Sequence, residues 1–189
     1  MRITFRFDAD KAVQAMAFFV ERLGPTDKVK LMKLVYLADR EHYVRHGFPI
    51  TGDRQYAMQH GPVPSSTLNL INGDIGVPGD RVYKFLHVDD NRVLLRLSPG
   101  IDRLGPTELD VLNEIEKDHG RTATWSLVRE THDLPEYSET FVEGTSTAIP
   151  YELIARHSGE ESRFRMNRPV ISIETAERMP CPFEPEPDL

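Results

Sequence analysis

The spacing of apolar residues predicts a long central helix over residues 28–46. Apolar side chains recur there at about 100° per residue, and a second apolar stripe runs beside the first. Thr26 or Asp27 supplies the N-cap, and Gly47 followed by Pro49 supplies the stop. A helix that is apolar over so much of its circumference should be surrounded by other elements. The two stripes consist of Leu31, Leu34, Val35, Ala38 and His42, and of Met32, Tyr36 and Tyr43.

The same period predicts helices before and after the central one. Asp8 is placed to cap the first, over residues 8–23, and Gly24 with Pro25 ends it. Another helix is expected over residues 105–119, where glycine and proline open the helix and a glutamate follows at its third position. Shorter helices are predicted from Ser65 or Ser66, as N-cap, to Leu70 or Ile71, from Thr124 until His132-Asp133-Leu134-Pro135 breaks it, and from Pro150 to Arg156.

Alternation of apolar and polar residues predicts an antiparallel β-hairpin over residues 81–97. Tyr83 and Phe85 alternate on the first strand, Val93 follows on the second, and Asp-Asp-Asn at residues 89–91 supplies the turn. A hairpin alone is marginal in water, so this one should lie on the helices or gain a third strand. We therefore expect an α+β fold, a mainly helical domain around the central helix with this small hairpin.

Residues 48–64, which we call the corner segment, join the central helix to the next one. They contain too many glycines and prolines for a regular helix. Residues 50–53 are typical of a turn, and residues 54–59 of a short extended piece. Residues 61–64, Gly-Pro-Val-Pro, are typical of a rigid corner.

Two kinds of residue are expected to hold the corner segment in place. Gly52 and Gly61 allow backbone conformations that other residues avoid. Asp39 or Asp53 can accept hydrogen bonds from backbone N–H groups of the irregular chain, which need partners once they are buried. This structural interpretation competes with direct contact to a partner molecule, and both stay open at this point.

The composition changes after Ser158. Five of the fourteen prolines lie in residues 169–187, and the last ten residues are acidic and proline-rich. We expect one domain over residues 1–158 and a flexible tail over residues 159–189. A short strand at residues 170–173 could still be added to the hairpin from this tail.

The net charge of −7 narrows the choice of partners. It argues against a surface devoted to nucleic acid, which needs clustered Lys and Arg, and it favours a basic protein partner. A single cysteine, Cys181, excludes an internal disulfide framework and a cysteine-based zinc site. Since the chain has no apolar run of membrane-spanning length and no apolar stretch near its start, we expect a cytoplasmic protein away from the membrane.

Three short motifs lie close together in the first third of the chain. Residues 30–39 read Lys-Leu-x-Lys-Leu-x-Tyr-x-Ala-Asp, and residues 47–53 read Gly-x-Pro-Ile-x-Gly-Asp. The third motif is Gly-Pro-Val-Pro at residues 61–64, with His60 before it. In this order and spacing the motifs resemble the Panacea domain, also described as the SocA-like antitoxin domain and found among phage-associated proteins. Weaker likeness extends over residues 10–157.

The resemblance implies an antitoxin that binds and neutralises a cognate protein toxin, encoded by an adjacent gene. A protease or chaperone is a further candidate partner, on the hypothesis that the acidic tail presents the complex to it. It implies no cofactor and no catalytic residues. The structural core of the motifs consists of Lys30, Leu34, Tyr36, Asp39, Gly52, Asp53, His60, Gly61, Pro62 and Pro64. The candidates for partner contact are Lys33, Arg40, Trp125 and His132.

These candidates also have a plainer interpretation. Lys30, Lys33 and Arg40 form a basic stripe on one side of the central helix, and such a stripe is usually a solvated face. Trp125 is either a core residue or, if it is exposed at a rim, an interface anchor.

Two other functions are compatible with parts of the sequence. The short helices beside the hairpin, with the basic stripe, suggest a DNA-binding autoregulator of winged-helix type, although the net charge opposes it. His42 and His46 are four residues apart with Asp39 nearby, a spacing that zinc sites use, so a metal-dependent hydrolase is the other alternative. Against the second stands a core position for His42 within an apolar stripe.

Overall fold

The computed structural model describes residues 3–73 and 79–159 of the chain. The fold is α+β and mainly helical, with two small antiparallel sheets, so the predicted fold class is confirmed. The expected tail from residue 160 onward, including the strand at residues 170–173, lies outside the described residues. The helices are α1 (Ala9–Leu23), α2 (Lys28–His46), α3 (Ser65–Asn72), α4 (Gly79–Phe85), α5 (Pro106–His119), α6 (Thr124–His132), α7 (Pro135–Thr140) and α8 (Tyr151–His157). The strands are β1 (Thr26–Asp27), β2 (Gln55–Met58), β3 (Gly61–Pro64), β4 (Leu86–Asp89), β5 (Arg92–Leu95) and β6 (Thr147–Ile149).

Helix α2 occupies the middle of the fold, as its two apolar stripes predict. It packs against α1, α5, α6 and β3. One core cluster joins α2 to α1, α3, α5 and the β4–β5 hairpin, and a second joins it, through Tyr43, to β2, β6, α7 and α8. The predicted caps are confirmed, because the Asp27 side chain accepts a hydrogen bond from Lys30 N and Gly47 is left-handed at φ 81°.

The local signals at the other long helices are also confirmed. The Asp8 side chain accepts a hydrogen bond from Lys11 N at the start of α1. Helix α5 begins after Gly105, whose N–H donates to the Glu108 carboxylate at 2.7 Å. The predicted break after α6 is confirmed, since α6 ends at His132. Pro135 then begins the short helix α7, which was not predicted, because proline fits the first turn of a helix.

The first sheet, which we call the hairpin sheet, has the strand order β1-β5-β4. Strands β4 and β5 pair antiparallel, and β1 joins β5 with Thr26 opposite Val93. The expected third strand is therefore present. The hairpin also packs on α1 and α4, because Leu86 and Val93 are buried in the main core.

The predicted first strand of the hairpin is too long. Residues 81–85 lie in α4, and β4 begins only at Leu86. Val82 and Leu86 are one helical turn apart and both are buried, whereas Tyr83 between them is exposed. The helical period therefore places the apolar residues of this segment in the core, although its apolar and polar residues also alternate as they would in a strand.

The second sheet, which we call the corner sheet, has the order β3-β2-β6. The expected extended piece is present as β2, but the prediction of a rigid corner at residues 61–64 is wrong, because these residues form β3. Pro62 lies opposite Ala57 and Pro64 opposite Gln55 in the ladder. Proline lacks an N–H and is tolerated on an edge strand where that group would point away from the neighbour.

Within residues 3–73 and 79–159, no helix combines the length and the apolar character that crossing a bilayer requires.

Candidate functional site

Asp39 fastens the corner segment to the central helix. Its carboxylate is fully buried and accepts hydrogen bonds from Thr51 N at 2.8 Å, from the Thr51 hydroxyl and from Gln55 Nε2 at 3.1 Å. Burial raises the pKa of Asp39 to about 7, opposed by these hydrogen bonds and reinforced by the charge of Asp53. The expectation that this aspartate satisfies the irregular backbone is confirmed.

Asp53 fastens the corner segment to the start of helix α3. Its carboxylate accepts hydrogen bonds from Ser66 N at 2.9 Å and from both the amide and the hydroxyl of Thr67, at 2.6 and 2.8 Å. The predicted capping of α3 by Ser65 or Ser66 is therefore wrong. Pro64 stands at the N-cap position and a carboxylate from the preceding turn supplies the acceptor, which leaves the serine hydroxyls out of the cap.

The two glycines are needed for close approach as well as for their backbone conformation. Gly52 has φ 70°, and a Cβ placed there would lie 2.1 Å from the Arg6 carbonyl oxygen. Gly61 has φ 92°, and a Cβ there would lie about 3 Å from side-chain atoms of Thr131, His132 and Lys33. The predicted role of both glycines is confirmed.

Tyr151 connects α8 to this network. Its hydroxyl donates to the Asp53 carbonyl oxygen at 2.8 Å and accepts from Gln55 Nε2 at 3.2 Å. Its ring packs against Phe5 and Tyr43, with centroids 5.0 and 4.7 Å away. Nothing near residue 151 in sequence signals this contact, because its partners lie almost a hundred residues earlier.

Lys33 lies inside the protein and not on a solvated face. Its side chain is 1% exposed, and its Nζ donates to the Pro62 carbonyl oxygen at 2.7 Å. Burial lowers the pKa of Lys33 to about 7. The ammonium group thereby satisfies an acceptor on β3, which is an edge strand among the residues that the structure describes.

Arg40 is also turned inward. Its Nε pairs with Glu136 Oε1 at 2.5 Å, and the Tyr36 hydroxyl donates to the same oxygen at 3.0 Å. Glu136 is fully buried and was not anticipated, since only the fold brings α7 to α2. The predicted basic stripe is therefore wrong as an exposed surface, because Lys33 is buried, Arg40 is ion-paired and Lys30 donates to the Gly120 carbonyl at 2.7 Å. The cations that suggested a DNA-binding function are thus engaged within the protein and not available on an exposed face.

His42 is a hydrogen-bonded core residue. Nδ1 lies 2.7 Å from the Phe48 carbonyl oxygen and Nε2 lies 3.1 Å from the Thr107 hydroxyl, so both ring nitrogens are engaged. Burial lowers the pKa of His42, which favours the neutral ring. Asp39 is likewise occupied by the corner segment. In the part of the chain that the structure describes, no group of three or more His, Cys, Asp or Glu could hold a metal ion.

The remaining candidates meet at the surface around Gly61. Trp125 is 58% exposed, and the edge of its ring faces His60 with centroids 5.5 Å apart. His132 stacks on Tyr137 at 4.7 Å, and its buried Nε2 has no hydrogen-bond partner among the described residues. Burial, with the charges of Lys33 and His60, lowers the pKa of His132.

A shallow groove of about 200 Å³ opens beside this cluster, between the start of α2, the β2–β3 turn and α3. We call it the methionine groove. Its apolar side chains include Met32, Met58 and Leu68, and its cationic or titratable ones are Lys28, Lys33 and His60. Sequence reasoning missed the groove because its walls come from three elements.

These features define a small α+β domain, in which buried carboxylates fix an irregular segment next to an exposed, partly apolar surface. A family model for the antitoxin SocA-like, Panacea domain matches residues 31–137, which include the whole corner segment. The chain therefore belongs to this family, and the resemblance inferred from the three motifs is confirmed. Comparison with curated proteins found no match, and comparison with solved structures found none either.

Proposed function

We propose that this protein is a cytoplasmic antitoxin that neutralises a cognate protein toxin, the product of an adjacent gene, by binding it directly and without catalysis of its own. The family match over residues 31–137 carries the proposal. In the simplest mechanism a preformed surface covers the functional face of the toxin. An interface of ordinary size, ~800 Å² on each partner, is sufficient for that.

The corner sheet suits such a role because its backbone is fixed before any partner arrives. Asp39 and Asp53 between them hold the turn, β2 and the start of α3 through hydrogen bonds to backbone and side-chain groups. A surface that is already ordered loses little conformational entropy on binding, so more of its contact energy is available as affinity. The exposed indole of Trp125 beside this rigid part is the type of residue that anchors interfaces.

Co-expression tests the proposal. The product of the neighbouring gene is expressed alone and together with this chain, and growth and co-purification are measured. We expect the product to arrest growth alone, and the pair to grow and to elute as one complex. A product that is harmless alone, or a toxic one that this chain neither rescues nor binds, would refute the antitoxin function.

The DNA-binding alternative is addressed with the same protein. A gel shift on the chain's own promoter, repeated at several salt concentrations, should show no salt-sensitive complex, because the lysine and arginine of the central stripe are occupied within the fold.

Whether residues 160–189, or a protease or chaperone, take part in neutralisation stays a prediction. Deleting these residues and repeating the growth rescue isolates their contribution. An unchanged rescue would remove them from the mechanism.

A further inference from the structure

The surface of the methionine groove is mainly apolar, with Lys28 and His60 at its border and the buried Lys33 among its lining residues. Met32, Met58 and Leu68 supply apolar surface, and the Trp125 indole adjoins the groove through its contact with His60. Apolar depressions at a surface accept side chains of a partner, and methionine adapts its shape to different ones. Tryptophan is among the residues that most often dominate the binding energy of an interface. The face therefore has the composition of a protein-binding site.

The distribution of charge indicates the chemistry of the partner. The chain has a net charge of −7, yet the groove is lined by Lys28, Lys33 and His60 and, within the described part, by no Asp or Glu. Lys28 donates to an asparagine and Lys33 to the Pro62 carbonyl, and neither forms an ion pair with a described carboxylate. A carboxylate close to a buried ammonium group stabilises its charge. The groove thus complements a segment that carries negative charge together with apolar side chains.

We propose that the methionine groove and the adjoining Trp125 side chain dock an acidic, apolar segment of the protein partner. The inference rests on the proposed antitoxin function, because the partner is then the toxin. In this arrangement an apolar side chain of the segment fills the groove, and a carboxylate of the same segment reaches Lys28 at the border of the groove. Since β3 forms one wall, the rigid corner sheet holds the site in its binding shape.

Docking of a carboxylate in the groove is linked to proton uptake, because its negative charge acts on the buried amino group of Lys33, which lines the groove. Burial lowers the pKa of Lys33 to about 7 in the free protein, and a neighbouring negative charge raises it again. The other titratable groups at this place are His60 in the β2–β3 turn and His132 at the end of α6, with Asp133 beside it. A carboxylate favours the protonated form of His132, so its contribution has the same sign. The affinity should therefore fall as the pH rises from about 7 to about 9.

The experiment uses the purified full-length chain and the purified product of the neighbouring gene. Val29→Glu places a carboxylate at the border of the groove, in the first turn of α2, where the helix dipole accommodates it. Val142→Glu, at an exposed site outside the groove, is the matched control. We expect Val29→Glu and Trp125→Ala each to weaken binding about tenfold or more, and Val142→Glu less than about twofold. Trp125 is the only tryptophan of the chain, so its fluorescence reports occupation of the site directly.

The outcomes separate this inference from the antitoxin function. Equal binding by the wild type, Val29→Glu and Trp125→Ala would overturn the inference and leave the antitoxin function intact. Failure of the wild type to bind would overturn the antitoxin function itself. A salt-sensitive response of Trp125 to duplex DNA, with none to the protein, would show that the class of partner is wrong. Circular dichroism checks that Val29→Glu is folded, and Lys28→Glu, at a partly exposed site, gives the same test if it is not.

Discussion

The hairpin sheet and the corner sheet each have three antiparallel strands, but different interactions hold the two sheets on the central helix. The hairpin sheet is held by apolar side chains such as Leu86 and Val93, which belong to the main core. The corner sheet has apolar contacts as well, through Ala57 and Ile149, but it is also held by buried polar groups, with Asp39 bonded to the turn and to β2, and Lys33 bonded to β3. Apolar burial is non-directional, whereas a buried hydrogen bond requires its partner at a defined distance and angle.

The difference explains where a binding surface can be built. A sheet that packs through apolar contacts can shift by small amounts without losing much area. A sheet whose buried donors and acceptors are paired loses a full desolvation penalty when it shifts, so its position is more strictly specified. The methionine groove borders the second kind of sheet.

Removing the carboxylate of Asp39 should have the largest effect. Asp39→Ala leaves the Thr51 amide and hydroxyl and the Gln55 amide buried without their acceptor, and each such group costs about 1–3 kcal/mol. We expect the free energy of unfolding to fall by about 4 kcal/mol, measured by urea denaturation. Asp89→Ala, at an exposed site of the hairpin sheet, is the control and should change it by less than about 0.5 kcal/mol. Similar losses at both sites would contradict the contrast between the sheets.

The stability of the protein should also depend on pH through Asp39, which holds the corner sheet. The pKa of Asp39 is about 7 in the folded protein and near 3.8 in the unfolded chain, so the folded state binds more protons between these values. The stabilising contribution is complete below about pH 4 and is lost as the pH rises through about 7, a change on the order of 4 kcal/mol. Subtracting the profile of Asp39→Asn from that of the wild type isolates this part. A flat difference over that interval would show that Asp39 does not titrate there.

Gly52 should tolerate alanine less well than a glycine of similar conformation elsewhere. Gly52→Ala places a methyl group against the Arg6 carbonyl, and we expect a loss of about 3 kcal/mol. Gly144 has φ 74° with no neighbouring atom, so Gly144→Ala should cost only the conformational term of about 1 kcal/mol. Thermal denaturation of the two variants compares them. Equal losses would mean that conformation alone, and not close approach of the N-terminal segment, requires glycine at residue 52.

The smallest effect is expected in the hairpin sheet. Asp90 has φ 54° in the β4–β5 turn, a conformation that glycine adopts more readily. Asp90→Gly should therefore stabilise the protein slightly, by about 0.5 kcal/mol, with a small increase in Tm. A decrease in Tm would indicate that the aspartate side chain has a local partner worth more than the backbone strain.

The features that are predicted best from the sequence are those that depend on interactions between residues close together in the chain. Caps, helical stripes and stops lie within a few residues of each other, and α1, α2 and α5 begin directly after the N-cap residues Asp8, Asp27 and Gly105. Gly52, Gly61 and Asp53 of the corner segment, and Asp39 of α2 that holds it, are predictable for the same reason. Their special requirements are visible in a turn rich in glycine and proline.

Contacts between distant residues were not predictable in this way. A lysine and an arginine on a helix are usually solvated, and only the approach of β3 and α7 supplies the Pro62 carbonyl and the Glu136 carboxylate that bury them. Strand β3 was missed because proline argues against a strand until its place at an edge is known. The alternation over residues 81–85 fits a helix equally well, and the core decides between the two.

The contact of Tyr151 with the corner segment has a consequence for anyone who moves this domain into another protein. The family match ends at residue 137, yet the hydroxyl that closes the network lies fourteen positions further on, and the Arg6 backbone packed on Gly52 lies well before residue 31. A fragment cut at the limits of the match would leave behind α1, β1, β6 and α8, with the first turn of α2 and the second half of α7. The unit to graft or to circularly permute therefore extends from about residue 3 to about residue 157, with its exchangeable part at the surface between α2, the β2–β3 turn and α6.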